Sequence, residues 1–178
     1  FSPYLFEIEN KLPVYLATRK SLLLKTMVHR FTYDFKEEIG DLLGTFLFKT
    51  LISFKNDFSN TIFVPIPIHY SKKFSRGFNQ TELLSNYLSK KTKALSVNLL
   101  FRTKCGLVQA GLSREERFNN VKDIFTINQS VFVPTYISKE IILIDDIVTT
   151  GATLENASLV LKKQGFKKIE ALAICHGL

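Results

Sequence analysis

The stretch that decides the fold is IILIDDIVTTGATLENA, residues 141–157. Its four consecutive apolar residues, 141–144, predict a strand that is covered on both faces, as in a parallel sheet. Helical spacing of apolar residues follows over about 152–164, and KKIEALAICH, residues 167–176, predicts the next strand. A strand, a helix and a second strand in close succession form a βαβ unit, so the sequence predicts an α/β fold.

Two adjacent acids, Asp145 and Asp146, directly follow the predicted strand. Neighbouring carboxylates repel each other and resist burial. In open α/β sheets, ligands bind at the carboxyl ends of the strands, so we expect both acids to be exposed there. A metal, a basic side chain or a polyol would each satisfy such a pair.

The segment after the acids is small and rich in hydroxyl groups. Small residues let the backbone approach a ligand closely, and the start of a helix attracts anions. Threonine hydroxyls add further donors. A pair of carboxylates that can bind a diol, next to a turn that can bind an anion (the anion cradle), predicts a binding site for a ribose 5-phosphate. The alternative, a strand–turn–helix with a good helix cap, explains neither the acid pair nor the hydroxyl groups. The cradle comprises Thr149, Thr150, Gly151, Ala152 and Thr153.

The rest of the chain alternates strand and helix patterns. Proline cannot donate to a strand ladder, so the strand in TIFVPIPI should end near Val64. The predicted elements are a strand in VYLAT (14–18), a helix over 37–54, a strand from 61, a basic turn over 69–80, and a helix over 81–91.

Composition limits the class of protein. With 178 residues, 46% of them hydrophobic, the chain fits a single domain over 1–178. Its first segment, 1–13, shows neither the pattern of a helix or strand nor that of a signal peptide. No apolar run reaches the length of about 18 residues that a membrane span needs, so we expect no membrane insertion. Two cysteines, Cys105 and Cys175, are too few for a disulfide framework and indicate a reducing, cytoplasmic setting.

The net charge of +8 favours polyanionic partners, although solvated lysines explain it equally well. No array of alternating aromatic and basic residues, typical of single-strand binding platforms, is visible in the sequence. Charge alone therefore does not choose between phosphorylated small molecules and nucleic acid.

The pattern ILIDDIVTTGAT resembles the binding signature of type I phosphoribosyltransferases, which use 5-phosphoribosyl-1-pyrophosphate (PRPP). The resemblance implies that Asp145 and Asp146 hold the ribose 2- and 3-hydroxyls and that residues 149–153 hold the 5-phosphate. It also implies a Rossmann-like, mostly parallel sheet flanked by helices, with a small hood or flexible loop over the site.

Residues 61–178 also resemble the competence protein F (ComF) family. Many members begin with a four-cysteine zinc ribbon, which this chain lacks, so no zinc is assigned and the chain is expected to start after the ribbon or to do without it. The matching residues are Pro65-Ile66-Pro67, Arg76-Gly77-Phe78-Asn79-Gln80, Arg102, Gln109, Leu112, Arg117 and Asn120.

The resemblance also implies a pyrophosphate site and catalytic residues. Phe78 is interpreted as an anchor of its loop, Lys72 and Lys73 fit a solvated turn as well as a phosphate contact, and neither His69 nor His176 is given a role. The implied pyrophosphate-binding residues are Lys72, Lys73, Arg76, Gly77, Arg102 and Arg117; the implied catalytic residues are Asp145, Asp146 and Arg76.

Residues 102–120 resemble the mobile hood that closes over such sites. Lys104 and Arg114 could also reach the diphosphate, whereas Gln109 and Asn120 could equally fix the shape of the loop. The resemblance implies that the hood carries the specificity for the acceptor, and this part of the sequence does not name that acceptor.

Three functions remain open at this point. The first is an enzyme that transfers phosphoribosyl from PRPP to an unknown acceptor, with Mg²⁺ carried by PRPP and no protein metal site assigned. The second is a ComF-type protein that binds single-stranded DNA or a helicase partner during natural transformation. The third is a regulator that responds to PRPP without turning it over.

Overall fold

The structure, a computed structural model, describes residues 3–8, 11–18, 22–34, 37–103 and 124–177. The described strands are β1 Tyr4–Ile8, β2 Leu12–Thr18, β3 Thr61–Pro65, β4 Leu95–Ser96, β5 Leu100–Arg102, β6 Phe125–Ile127, β7 Glu140–Ile144, β8 Ile147–Val148 and β9 Ile169–His176. The described α-helices are α1 Leu22–Asp34, α2 Glu37–Phe54, α3 Tyr70–Arg76, α4 Gln80–Thr92 and α5 Ala152–Gln164, and a 3₁₀ helix covers Pro134–Ser138.

The larger of the two described sheets has the strand order β1-β2-β9-β7-β3-β4, with β8 beside β9. Only the β1–β2 pair is antiparallel in this described sheet; its other pairs are parallel. All of β3 and the last four residues of β7 are buried, which is the pattern that parallel strands show when both faces are covered. The predicted, mostly parallel α/β fold is confirmed.

Helices cover both faces of this sheet. On one face, α2 and α4 pack leucines such as Leu47 and Leu88 against Phe63 of β3. On the other face, α5 packs Leu154 and Leu161 against the apolar side chains that β3 and β7 turn the opposite way. Helical spacing therefore gives α2, α4 and α5 one apolar side each, and burial of that side fixes the layer to which each helix belongs.

The chain leaves the neighbouring strands β3 and β7 toward opposite edges of the sheet. From β3 the chain runs through α4 to β4, and from β7 it runs through α5 to β9, on the opposite face and toward the opposite edge. Adjacent strands whose connections diverge leave a crevice at their carboxyl ends, and this switch point is the usual ligand site in doubly wound sheets. The crevice lies where β7 ends on Asp145 and Asp146.

The strand from residue 61 ends at Pro65, in agreement with the predicted end near Val64. Another element prediction needs correction. The basic segment 69–80 is not simply a turn, because it contains α3, which begins after the N-cap His69 and ends before Gly77 in the left-handed conformation. Seven residues are too few to show helical periodicity in the sequence.

Other elements have no counterpart among the predictions: β1, α1, the short strands β4, β5, β6 and β8, and the 3₁₀ helix. β1 lies within residues 1–13, where the sequence suggested nothing, and pairs along its whole length with β2. In the part of the chain that the structure describes, no helix combines the length and apolar character that a membrane crossing requires.

Candidate functional site

The acidic pair lies where β7 leaves the sheet, beside the end of β3. The backbone keeps the two strand ends together past their last ladder residues, because the Ile66 N–H donates to the Ile144 carbonyl at 2.9 Å. The N–H of Asp145 still donates to the Leu172 carbonyl of β9 at 3.1 Å. The acids therefore start inside the sheet and emerge at the crevice.

The expectation that both acids are exposed was wrong for Asp145, whose exposed fraction is only 9%. Its backbone remains bonded within the sheet, so its side chain is enclosed by the layers around β7. Burial, and then the neighbouring Asp146 carboxylate, raise the pKa of Asp145 well above its usual value. The Asp146 N–H, which donates to Asp145 Oδ1 at 2.9 Å, and the charge of Arg102 offset part of this rise.

Asp146 is half-buried, and both of its carboxylate oxygens have partners. The Ile147 N–H donates to Oδ1 at 2.7 Å, and Gln80 Nε2 donates to Oδ2 at 3.0 Å. Gln80 is buried, and no partner of its other amide atom, Oε1, occurs within the described structure. The carboxylate of Asp146 is thus held in one orientation before any ligand binds.

The sequence did not assign a role to Gln80, although it belongs to the segment Arg76–Gln80 that carries the ComF resemblance. Its position depends on the two residues that flank it. Asn79 Nδ2 and Thr81 Oγ1 both donate to the Ile66 carbonyl, at 3.2 Å and 2.6 Å. Because Ile66 is also bonded to β7, the start of α4 is fixed against the crevice, with Gln80 aimed at Asp146.

The turn from residue 149 to 153 joins the acids to α5. Thr149 and Thr150 are exposed, and Gly151 has a φ of 81° that L residues other than glycine rarely adopt. A Cβ on Gly151 would lie 2.6 Å from Ile8 Cγ2, so β1 packs directly against the turn. Gly151 is the N-cap of α5 and offers no side-chain acceptor, and the Ala152 N–H donates only a long bond, 3.4 Å, to Thr150 Oγ1. The start of the helix therefore keeps capacity for an anion.

The predicted pyrophosphate-binding residues do not form one cluster in the described structure. Arg102, at the end of β5, lies close enough to Asp145 for its charge to lower that pKa, whereas Lys73 Nζ is bonded to Glu82 of α4 at 2.8 Å. Lys72 is exposed, and Arg76 and Gly77 end α3 on the β3 side of the crevice. The rest of the hood, residues 104–120, lies outside the described residues; it includes Arg117, Lys104, Gln109, Arg114, Asn120 and Cys105.

Three rings near the site have structural partners. His69 caps α3, since its Nδ1 accepts the Ser71 N–H at 3.3 Å. His176 meets Phe6 edge-on at 5.9 Å between ring centroids. Phe78 lies 6.0 Å from the ring of Phe31 in α1, which fits its predicted role as the anchor of its loop.

Within the described ranges, no group of three or more His, Cys, Asp or Glu side chains could hold a metal ion. Mg²⁺ often needs only one or two carboxylates, because it keeps several waters and binds substrate phosphates. Asp145 and Asp146 supply such a pair of hard oxygen donors, so the residues present suit a magnesium ion that arrives with a phosphorylated ligand.

No family model matches the chain, but curated proteins do. Over 157 residues it is 28% identical to competence protein F of Haemophilus influenzae, covering 86% of this chain and 68% of that protein. It is 32% identical over 164 residues to competence protein ComFC of Bacillus subtilis, covering 83% of this chain and 62% of that one. DNA utilization protein YhgH of Escherichia coli is 24% identical over 159 residues, covering 87% and 68%. The chain spans about two thirds of the length of these relatives, and their similarity over most of the chain supports the expected relation to the ComF family.

Proposed function

We propose that the crevice binds PRPP together with Mg²⁺ and transfers the phosphoribosyl group to an acceptor that is still to be identified, with release of pyrophosphate. The observation that carries the proposal is the position of Asp145 and Asp146 at the switch point, immediately before a glycine turn that opens α5. Carboxylates suit the hydroxyls of a ribose, and a helix start whose N-cap glycine offers no side-chain acceptor suits its phosphate.

In this proposal the protein positions groups and stabilises charge. Ribose hydroxyls donate to the acidic pair, and Thr149, Thr150 and the first N–H groups of α5 bind the 5-phosphate. The lone pair of the acceptor forms a bond to the ribose C1 while the bond from C1 to the pyrophosphate oxygen breaks, and its electron pair leaves with pyrophosphate. The carboxylates stabilise the positive charge that develops on the ring. Mg²⁺, when bound, neutralises charge on the diphosphate.

Cations around the crevice suit the departing pyrophosphate. Arg102 is the cation whose position best supports this role, because it already acts electrostatically on Asp145. Arg76 and Lys72 extend the positive charge along α3. Lys73 contributes less in this arrangement, since Glu82 neutralises it.

Calorimetry tests the binding step. The wild-type chain should bind PRPP saturably in the presence of Mg²⁺, and the double variant Asp145→Ala/Asp146→Ala should not. Absence of binding to the wild type would refute the proposal. Product analysis with PRPP, Mg²⁺ and a panel of nitrogen bases then separates an enzyme from a regulator, because a regulator binds PRPP but releases no pyrophosphate.

A second candidate, compatible with the first, is a role in DNA uptake. Relatives are named competence proteins and a DNA utilization protein, and the net charge of +8 suits a polyanion. The partner in this role is single-stranded DNA or a helicase-like protein. Direct binding of DNA phosphates should weaken steeply as salt rises, so an affinity that is flat from about 50 to 200 mM salt would argue against it.

A further inference from the structure

We propose that α3 is a docking surface for single-stranded DNA, on which bases stack against Tyr70 and Phe74. The inference rests on the DNA-handling part of the proposed function and names the place where the strand binds. It starts from the exposure of these two rings, which is 76% for Tyr70 and 92% for Phe74. No residue of α3 is buried, so this helix does not use its aromatic side chains to pack on the core.

The two rings share one face of the helix. Residues four apart are neighbours on a helix surface, and the rise of 1.5 Å per residue separates them by about 6 Å along the axis. Exposed aromatic rings at this spacing can accept successive bases of a flexible single strand, in which each base offers a flat apolar face. Tyr70 is also held in place by the ring of His69, at 4.3 Å between centroids.

The charges of α3 favour nucleic acid over a protein partner. The helix carries Lys72, Lys73 and Arg76 and contains no acid. Glu82 of α4 pairs with Lys73, and Lys72 is exposed to solvent. The cores of protein interfaces are depleted in lysine, and α3 has no aliphatic residue to form such a core. In a single strand of nucleic acid, phosphates alternate with bases, and this alternation matches the cations and rings that alternate on α3.

The helix α3 lies close in sequence to the elements that form the acidic site. Only residues 66–69 separate the end of β3 from α3, and only 77–79 separate α3 from α4, whose first residue bonds to Asp146. A strand bound on α3 therefore passes beside the crevice without needing the acids. The sequence does not indicate this surface, because it predicts a turn over 69–80, in which positions four apart share no face.

The test measures binding of a fluorescein-labelled oligothymidylate to the full chain by anisotropy, at about 50 and about 200 mM salt. The double variant Tyr70→Ala/Phe74→Ala should bind about tenfold or more weakly for each ring lost. The matched control is Tyr4→Ala, which removes an exposed ring, 43% accessible, from the edge strand β1 and should leave the affinity unchanged. Both variants should keep the wild-type thermal midpoint, since exposed rings contribute little to the core.

Two single variants separate stacking from general apolar contact. Phe74→Trp keeps a ring and should bind DNA at least as well as the wild type, whereas Phe74→Leu stays apolar but cannot stack and should lose about tenfold. Lys72→Ala should reduce the slope of log affinity against log salt by about one.

Each outcome decides the matter. Wild-type affinity in Tyr70→Ala/Phe74→Ala, or equal binding by the Trp and Leu variants, overturns the surface but leaves the DNA role. A wild-type chain that binds no oligothymidylate overturns both. Binding of anionic phospholipid vesicles that needs the two rings, without DNA affinity, assigns α3 to a membrane surface and also overturns the proposal. The variants Tyr70→Ala and Phe74→Ala should bind PRPP as the wild type does. A failure of the proposed PRPP site can therefore be distinguished from a failure of the proposed DNA surface.

Discussion

Two loops meet at the crevice and differ in how they are held. The loop after β7 and the loop after β3 each contain a glycine with a φ of 81°, Gly151 and Gly77. A Cβ on Gly151 would meet Ile8 at 2.6 Å, whereas a Cβ on Gly77 would meet nothing within 4 Å. One loop is fixed by packing and the other by hydrogen bonds at an open surface. The packed loop suits a fixed anion, and the open loop leaves α3 free to meet a large partner.

The largest effect on ligand binding is expected at the buried acid of the packed loop. Asp145→Asn keeps the shape of the side chain but removes its charge, so PRPP affinity should fall at least tenfold, because a charge-assisted hydrogen bond to the ribose is lost. The same variant should raise the thermal midpoint, by about 2–4 °C for each kcal/mol gained, since it removes a buried charge. Calorimetry and thermal melts measure the two effects.

The sign of this second effect depends on pH. Burial and Asp146 raise the pKa of Asp145 in the folded state, so the ionised carboxylate destabilises the fold and stability falls as pH rises from the ordinary carboxyl range through the raised pKa. The advantage of Asp145→Asn should therefore be present at neutral pH and vanish in acid. An advantage that grows on acidification would contradict the assignment.

The two glycines give a direct test of the comparison. Gly77→Ala should cost about 1–2 kcal/mol of unfolding free energy, because alanine is strained at positive φ. Gly151→Ala carries the same strain plus the clash with Ile8 and should cost about 2–4 kcal/mol. Adding Ile8→Ala should recover part of the loss at Gly151 and none at Gly77. Equal costs at the two positions, measured by urea unfolding, would remove the distinction between the loops.

The link between the loops is the bond from Gln80 to Asp146. Gln80→Leu should change the unfolding free energy by less than about 1 kcal/mol, because the buried amide oxygen without a partner is removed together with the donor. PRPP affinity should nevertheless fall about tenfold, since Asp146 loses the donor that orients it. Gln80→Glu, which places another carboxylate beside Asp146, should bind PRPP more weakly still. Unchanged affinity in both variants would show that the bond does not prepare the site.

The smallest effect is expected at the partly exposed pair between Lys73 of α3 and Glu82 of α4. A double-mutant cycle of Lys73→Ala and Glu82→Ala should give a coupling below about 1 kcal/mol, because solvent screens the pair. Although burial opposes it, the bonds from Lys73 and Asn98 lower the pKa of Glu82, so the coupling is present at neutral pH and is lost as pH falls through that pKa. A coupling of several kcal/mol would mean that the open loop is as rigid as the packed one.

Local patterns made part of this structure predictable. The strand at 141–144, the helices α2, α4 and α5, and the acid pair before a small turn all lie within single stretches of sequence, where spacing and residue type are informative. The burial of Asp145 and the role of Gln80 were not predictable, because they depend on contacts between distant segments. Gln80 and Asp146 are 66 residues apart, and no local pattern specifies that they meet.

The contact between Ile8 and Gly151 has a consequence for the order in which the protein assembles. The first described strand and the turn before α5 lie more than a hundred residues apart in the chain, so we expect the turn to reach its final shape only after these two segments have met. Contacts of such long sequence separation form late in folding, because loop-closure entropy opposes them. A ligand of this turn would bind only completed molecules, and it would stabilise the whole fold by mass action.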